Sequence, residues 1–558
     1  MSDPVQEVIR KYALQNAVFF KGTANPKSVV GKVLGECPEF RSRSSEIIPL
    51  IESIVTDVNK IGLEAQIKEL QNYDPNLMVK EKKERIYELP SLENTDNGVV
   101  MRIAPGPSGP LHIGHSRVSV LNDEYVKRYN GKLINRFEDT NPEKIDENAY
   151  DMIPEDLEWL GVKVHQTIIQ SDRFELYYDI TKKLIEAGEA YVCTCDADHW
   201  RQLKEEMKAC PCRNLPINEQ LERYDRLLSN GYKEGEAIAV VKTDIEHPNP
   251  AIRDFVALRI VDHPHPRVGT KYNVYPMMNL SVAIDDHLLG MTHVIRGKDH
   301  LNNTFRQEYI YNHMKWKKPR FYHYGLVSIP ESVLKTSIIK QGIRNGEYIG
   351  WDDIRTGTLR AMKRRGIRPE AIRRYWIESG MKPIDIQFTW DNLYAMNRDI
   401  IDDISNRYFF VPDPVEFQIT GIDSIDGKAP KHPDHSERGY RDYSISGDIK
   451  ISIPSSDVEN FKEKGMVRLK DLCNIRYDEP AKYEGTDLSV LKKGVRAVQW
   501  TASGIPTELH MPDGTVLKGI SENTLNSENG DMVQFERIGF VRLEKNDKSG
   551  IKAMFAHR

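Results

Sequence analysis

Long apolar runs are missing from this sequence of 558 residues. None approaches the ~20 apolar residues a helix needs to cross a bilayer. The opening Met-Ser-Asp-Pro-Val-Gln-Glu has neither the positive flank nor the apolar centre of an export signal. A membrane protein is excluded and a cytoplasmic location expected. Cysteine is scarce as well: six in the whole chain, four of them clustered, do not make a disulfide framework. Such usage suits a reducing compartment. Nor is positive charge in excess, since the formal net charge is -5. Any RNA contact has to rest on local patches such as Lys315-Trp-Lys-Lys-Pro-Arg320 and Lys363-Arg-Arg365 with Arg368, Arg373 and Arg374. On their own such runs are more often solvated helix faces. With 39% hydrophobic and 29% charged residues the chain can bury several cores, and its length suggests roughly three to five domains.

The most informative stretch is Arg102-Ile-Ala-Pro-Gly-Pro-Ser-Gly-Pro-Leu-His-Ile-Gly-His115. Val99 to Ala104 is a short apolar run, as a buried parallel strand requires, and Pro105-Gly106-Pro107 forces a turn. Val118, Leu121, Tyr125 and Tyr129 then recur at helical spacing. Gly131 stands where a left-handed cap would end that helix, and Leu133 to Phe137 reads as the next strand. In such a unit the helix N-terminus presents unpaired N–H groups and a partial positive charge at the C-terminal edge of the sheet, where anions settle. His112 and His115, three apart in the first turn, can face one anion and donate hydrogen bonds to phosphoryl oxygens as charge builds in a transition state. The tetrapeptide His-Ile-Gly-His alone would suit an ordinary helix cap. The Pro/Gly loop before it favours a nucleotide phosphate. No third ligand type follows at zinc-like spacing, so the pair does not read as a metal site.

Pro105 to His115 resembles the HIGH signature of class I aminoacyl-tRNA synthetases. Arg136-Phe-Glu-Asp-Thr-Asn-Pro142, Glu158-Trp-Leu-Gly161, Tyr275-Pro-Met-Met-Asn-Leu280, Asp285-Asp-His287, Thr292-His-Val-Ile-Arg-Gly-Lys-Asp-His300 and Gly350-Trp-Asp-Asp353 are similar, in order and spacing, to the glutamyl/glutaminyl branch. Together they cover most of residues 99 to 410. The resemblance implies a Rossmann-type α/β catalytic domain with Pro105, Gly106, His112, Gly114 and His115 around ATP, Arg102 and Arg296 on the substrate side, and Glu138 near the ammonium of the amino acid. The second half of the sheet is expected to restart near Ile284. Thr292 to Arg296 reads as a strand and Gly297-Lys-Asp299 opens a helix, so Arg296 falls at a strand's C-terminal end, where open α/β sheets bind ligands. A guanidinium grips a carboxylate with two parallel hydrogen bonds, whereas against an amide it would stay partly unpaired; Arg296 therefore favours glutamate over glutamine. A structural ion pair is the plain alternative for each of these charges.

Two positions depart from the family pattern. Met278 and Leu280 stand where the family often has a pocket tyrosine and a characteristic phenylalanine two residues later, and Tyr275 cannot simply inherit the tyrosine's role. Val333-Leu-Lys-Thr-Ser-Ile338 occupies the place of the KMSKS loop that holds the ATP phosphates. Lys335 comes one residue early, Thr336 stands at the position of the family's second lysine, and Lys340 is the next candidate; either lysine, or neither, reaches the pyrophosphate. The segment reads as a divergent loop, not a dead enzyme.

Cys193-Thr-Cys195 and Cys210-Pro-Cys212 are two Cys-x-Cys pairs that can converge into a tetrahedral thiolate cage. A structural zinc ion suits them better than free thiols, and a redox role lacks the usual Cys-x-x-Cys. Within the resemblance they lie in the insertion that holds the acceptor end of tRNA. Residues 1 to about 90 read as helical, with Ile51, Ile54, Val55, Val58 and Ile61 on one face, and resemble the N-terminal extension of archaeal glutamyl enzymes. A basic helical stretch follows Gly350-Trp-Asp-Asp353 as far as about Asn397. After Asp402, short β-type runs at Tyr408 to Val411, Asp448 to Ile453, Met466 to Leu469, Val495 to Thr501 and Val533 to Leu543 resemble the paired β-barrels that bind the anticodon. The expected fold is multidomain: N-terminal helical extension 1–98, first Rossmann half 99–190, acceptor-binding insertion 191–272, second half 273–340, helical connector 341–402 and all-β region 403–558.

The resemblance implies an archaeal-type glutamyl-tRNA synthetase that joins ATP and glutamate into glutamyl-adenylate, with magnesium on the phosphates, and passes the glutamyl group to the 3′ end of tRNA(Glu). Whether tRNA(Gln) is also charged stays open at this point. The alternatives are a glutaminyl-tRNA synthetase, against which Arg296 argues, and a tRNA-binding homologue weakened by its altered loop. Small nucleotidyltransferases share the His-x-Gly-His element but lack the insertion and the β region.

Overall fold

The structure, a computed structural model, describes residues 4–37, 39–40, 44–73, 75–78, 88–330, 332–528, 530–547 and 550–558. The chain divides into two compact units, Met1–Tyr87 and Glu88–Arg558. The first holds the helices Pro4–Phe19, Pro26–Glu36, Ser44–Lys60 and Leu63–Tyr73. Ile51, Val55 and Val58 are buried with Ile9, Leu14, Val29 and Val33, while Ile54 and Ile61 are half-buried against them. Leu89 and Leu92 belong to the core of the second unit, beside Met101, Ile103 and Leu121.

The second unit is built on a parallel sheet. Val100–Ile103 pairs with Lys132–Phe137, which pairs with Gln166–Ile169. On the other side the Thr292 N–H bonds the Val100 carbonyl at 3.0 Å, bringing His293–Gly297 alongside, and Arg320–Tyr324 follows in parallel. The strand order therefore reverses between Val100–Ile103 and His293–Gly297, and a ligand crevice opens at that point. The helix Ile113–Arg128 crosses between the first two strands. Its end differs from expectation in one respect. Asn130, not Gly131, takes the left-handed conformation, at φ 48°. Gly131 is needed because a Cβ there would lie 2.3 Å from the Val99 carbonyl oxygen. The second half of the sheet does not restart near Ile284 either, because Ile284 is buried in the helix Met278–Leu288.

Between the halves an antiparallel sheet of Ala190–Cys193, Ile238–Val241, Phe255–Ile260 and Val274–Pro276 forms the insertion. It is slightly wider than 191–272. After the sheet come the connector helices Leu359–Arg365, Pro369–Ser379 and Trp390–Ile401. Trp376 is wholly buried, and its indole N–H bonds the Ser116 hydroxyl at 2.7 Å. Truncating such an aromatic typically costs about 3–5 kcal/mol, so this contact fixes the His112-bearing helix against the connector.

The C-terminal part holds two barrels. One sheet runs in the order Asn406–Tyr408, Met532–Phe535, Gly539–Asp547, Gly550–His557, Gly504–His510, Val516–Glu522 and Phe410–Pro412. Its two edge strands are consecutive in sequence, so the sheet curls round on itself. The other runs Lys450–Pro454, Pro414–Thr420, Ala481–Tyr483, Asn474–Arg476, Met466–Leu469 and Arg496–Val498. A bridge between Ser452 and Thr501 closes that ring. The helix Ser455–Lys464 interrupts what the sequence reads as all-β.

Candidate active site

His112 is the N-cap of the helix Ile113–Arg128, held there by bridges from its neighbours: Ile113 N–H bonds the Gly357 carbonyl at 3.0 Å, and Leu359 N–H bonds that of Leu111 at 2.9 Å. Its Nδ1 accepts the N–H groups of Gly114 at 3.0 Å and His115 at 3.3 Å. The two imidazoles stack with centroids 3.6 Å apart. A Cβ on Gly114 would meet the His112 ring at 2.9 Å, which explains glycine at that place. Because both Nδ1 atoms face backbone N–H groups, the proton of each neutral ring sits on Nε2. Burial pushes His112 well below the usual imidazole range, with His115 adding to the effect, and the crowding of the stacked pair also lowers His115, although that ring is exposed on one side. Both rings are uncharged donors at neutral pH. The expectation of free backbone N–H groups is corrected here: those of the first turn are spent on Gly357, on His112 Nδ1 and on the His112 carbonyl. An anion at this helix would meet imidazole N–H groups and the helix dipole.

A cavity of about 460 Å³ opens before these rings, lined by Arg102, Gly106, His112, His115, Arg296 and Leu334 among others. Pro105 and Gly114 line it too, so of the residues expected around ATP the structure brings together Pro105, Gly106, His112, Gly114 and His115 but not Lys335 or Lys340, and of the glutamate set Arg102 and Arg296. The two arginines differ in partnership. Arg102 Nε bonds Asp286 at 3.1 Å, and fully buried Arg136 bonds the same carboxylate at 2.5 Å. Arg136 also bonds Glu138 at 2.9 Å, and the Glu138 N–H bonds the Pro105 carbonyl at 3.0 Å under the loop. Among the described residues Arg296 has only neutral hydrogen-bond partners. Its Nη2 bonds Thr304 at 2.5 Å and Gln307 at 3.0 Å, its Nε has no acceptor, and the Phe321 ring lies 4.8 Å beneath it. Burial, reinforced by Arg102, lowers its pKa to about 10. A buried guanidinium that lines a cavity and keeps an unpaired N–H is suited to receive a carboxylate.

The loop in the KMSKS place folds over the cavity. Val333 bridges Thr356, Leu334 lines the cavity, and a Cβ on Gly109 would meet Thr336 at 2.5 Å. Lys335 caps the helix Thr336–Arg344, is exposed, and makes no ion pair among the described residues. Lys340 is engaged otherwise, with its Nζ 2.9 Å from Asp146. Tyr275 is buried in the insertion core and bonds the carbonyls of His263 and Tyr272 at 3.2 Å, so it is no part of the pocket.

In the insertion the sulfurs of Cys193 and Cys210 are 3.7 Å apart, and those of Cys195 and Cys212 are 3.8 Å apart. The sulfurs of Cys193, Cys195 and Cys210 lie within 4.8 Å of one another. With metal–sulfur bonds of about 2.3 Å, a tetrahedral zinc site places its sulfurs about 3.8 Å apart. Cys193, Cys195 and Cys210 form one such group, Cys212 stands at that spacing from Cys195, and none of the four forms a disulfide.

Residues missed from sequence support the site from behind. Asp286 orders Arg102 and Arg136, and Thr304 and Gln307 hold Arg296. Asp156, 4% exposed, accepts the Leu111 N–H at 2.8 Å just ahead of His112. Only the Asp285-Asp-His287 motif carried a signal for any of them. The patch at Lys363 to Arg374 is largely neutralised: Arg364 pairs with Glu544, Arg368 with Asp531, Arg373 with Asp123, and Arg374 with Asp399. Arg365 bonds the Ala556 carbonyl.

Comparison with known proteins agrees with this geometry. Residues 98–403 match the family described as tRNA synthetases class I (E and Q), catalytic domain, and residues 405–491 match its anti-codon binding domain. The glutamate–tRNA ligase of Methanocorpusculum labreanum is 48% identical over 554 residues, covering 98% of this chain and 98% of its own. That of Methanocaldococcus jannaschii is 46% identical over 99% of this chain and 100% of its own. That of Pyrococcus furiosus is 45% identical at the same coverages. The chain belongs to the glutamyl and glutaminyl family of class I tRNA synthetases.

Proposed function

We propose that this protein is a glutamate–tRNA ligase of the archaeal type, which activates L-glutamate with ATP and transfers it to the 3′ end of tRNA(Glu). The observation that carries the choice of amino acid is Arg296, a buried guanidinium without a carboxylate partner on the same cavity as His112 and His115. Glutamine would leave that charge unpaired.

In the first step an oxygen of the glutamate α-carboxylate attacks the α-phosphorus in line, the bond to the bridging oxygen breaks, and pyrophosphate leaves with that electron pair. In the second, a hydroxyl of the terminal ribose of tRNA attacks the acyl carbon and AMP leaves. The substrates supply the nucleophiles, so the protein's part is positioning and charge stabilisation. His112 and His115 donate from Nε2 to phosphoryl oxygens, and Pro105, Gly106 and Gly114 let the nucleotide approach the backbone. Lys335 is the lysine available to the outgoing pyrophosphate. Arg102 and Arg296 bind the glutamate carboxylates and Glu138 its ammonium. Magnesium, when bound with ATP, neutralises phosphate charge.

Cys193, Cys195, Cys210 and Cys212 hold a zinc ion that stiffens the insertion, and the two barrels take the anticodon. No described helix is long and apolar enough to cross a membrane, and a cytoplasmic location accords with the free thiols. The deciding experiment is aminoacylation of purified glutamate and glutamine isoacceptor tRNAs with each amino acid. Glutamate on tRNA(Glu) is the expected product, and its appearance on tRNA(Gln) as well would make the enzyme non-discriminating. A preference for free glutamine would overturn the assignment.

A further inference from the structure

Thr304 and Gln307 lie three residues apart on the helix Leu301–His313 and both accept from one nitrogen of Arg296, its Nη2. Gln307 is fully buried and Thr304 nearly so, and neither carries charge. Each is held in turn. The Gln307 amide N–H donates to Asn279 Oδ1 at 3.3 Å, which fixes the amide with its oxygen toward the guanidinium. The Thr304 hydroxyl reaches the His300 carbonyl at 3.3 Å and His323 Nε2 at 2.8 Å. The carboxylates that could quench Arg296 are occupied elsewhere: Asp286 by Arg102 and Arg136, and Glu138 by Arg136. The contrast with Arg102 is direct, since that guanidinium already has its counter-charge.

We propose that Thr304 and Gln307 are positioning residues that set amino-acid specificity: by offering only neutral acceptors to Nη2 they orient the Arg296 guanidinium and leave its charge for the side-chain carboxylate of the substrate. A carboxylate at position 307 would satisfy that charge from within and remove the reason to prefer an acid over its amide. The inference rests on the reading of Arg296 given above.

The test is Gln307→Glu, a nearly isosteric change, assayed for ATP–pyrophosphate exchange in the presence of tRNA with glutamate and with glutamine. The expected result is a loss of about a hundredfold in kcat/KM for glutamate, carried by KM, with KM for ATP within about twofold of wild type. The ratio of glutamate to glutamine use should fall by about tenfold or more. An unchanged glutamate KM and an unchanged ratio in a folded variant overturn the proposal. Should thermal melting show that Gln307→Glu does not fold, Thr304→Val and Thr304→Ser decide. The valine variant should raise KM for glutamate about tenfold and the serine variant should restore it; equal behaviour of the two overturns the proposal. Failure of the wild-type enzyme to prefer glutamate would instead remove the reading of Arg296 itself.

Discussion

His112 Nδ1 accepts the backbone N–H of His115 at 3.3 Å, so one imidazole caps the turn that presents the other. The pair is thus a single rigid donor unit, and its protons point outward because its inward nitrogens are engaged.

Removing half of that unit should be expensive. His115→Ala is expected to lower adenylate formation by about 10²–10³-fold, the range for deleting one transition-state donor, while tRNA binding stays within about twofold. Equal losses in both would deny the residue its role. Because both rings are held below the usual imidazole range, neither should contribute a limb to the pH–rate profile near neutrality. An inflection near neutrality that disappears in His115→Asn would contradict this.

Arg296→Lys keeps the charge but loses the planar fork. We expect kcat/KM for glutamate to fall about a hundredfold or more, with little change in KM for ATP. Steady-state kinetics with the two substrates varied separately would check it, and a normal KM for glutamate would be incompatible with carboxylate binding at this site.

Asp156 gives a prediction about stability. Burial raises its carboxyl from 3.8 to about 7, opposed by the Leu111 N–H, Arg360 and Lys363 and aided by Glu155. Between those values the folded chain holds a proton that the unfolded chain has released, so stability falls as pH rises through the window. The ionised, buried form costs at most about 4 kcal/mol above pH 7. Asp156→Asn can still accept the Leu111 N–H and should melt higher than wild type at pH 8, the difference shrinking as pH is lowered toward 4. Parallel melting curves at every pH would refute the burial argument.

For the thiol cluster, elemental analysis should find about one zinc per chain. The double variant Cys210→Ser, Cys212→Ser should lack it, and proteolysis should then cut faster between residues 193 and 212. Finding no metal, with all four thiols freely reactive in the native protein, would exclude the site.

How much of this was legible beforehand depended on sequence distance. The strand, turn and helix around His112 announce themselves because Pro, Gly and the helical period act over a few residues. The helix at Ile284 was misread because Leu280-Ser-Val-Ala-Ile284 has a strand-like composition, and only its packing against the insertion core decides otherwise. Asn130 outbid Gly131 for the left-handed position because Gly131 is needed for close approach to Val99, a contact no local pattern records. Asp156 reaches Leu111 across 45 residues, and Arg102 reaches Asp286 across 184. The roles of such supporting residues exist only in the folded chain. Strands such as Pro414–Thr420 are exposed at alternate positions and carry several polar residues, so hydrophobicity alone passes over them.

The order of strands in the barrels also bears on synthesis. The segment 414–501 that makes one ring is inserted in the chain between Phe410–Pro412 and Gly504–His510, which belong to the other. Gly550–His557 lies in the middle of that other sheet, between Gly539–Asp547 and Gly504–His510. Domains fold as units as they emerge from the ribosome, so the inserted ring can form on the growing chain, while its host must wait for Gly550–His557. A nascent chain from which Gly550–His557 has not yet emerged would therefore display a finished guest barrel inside an unfinished host.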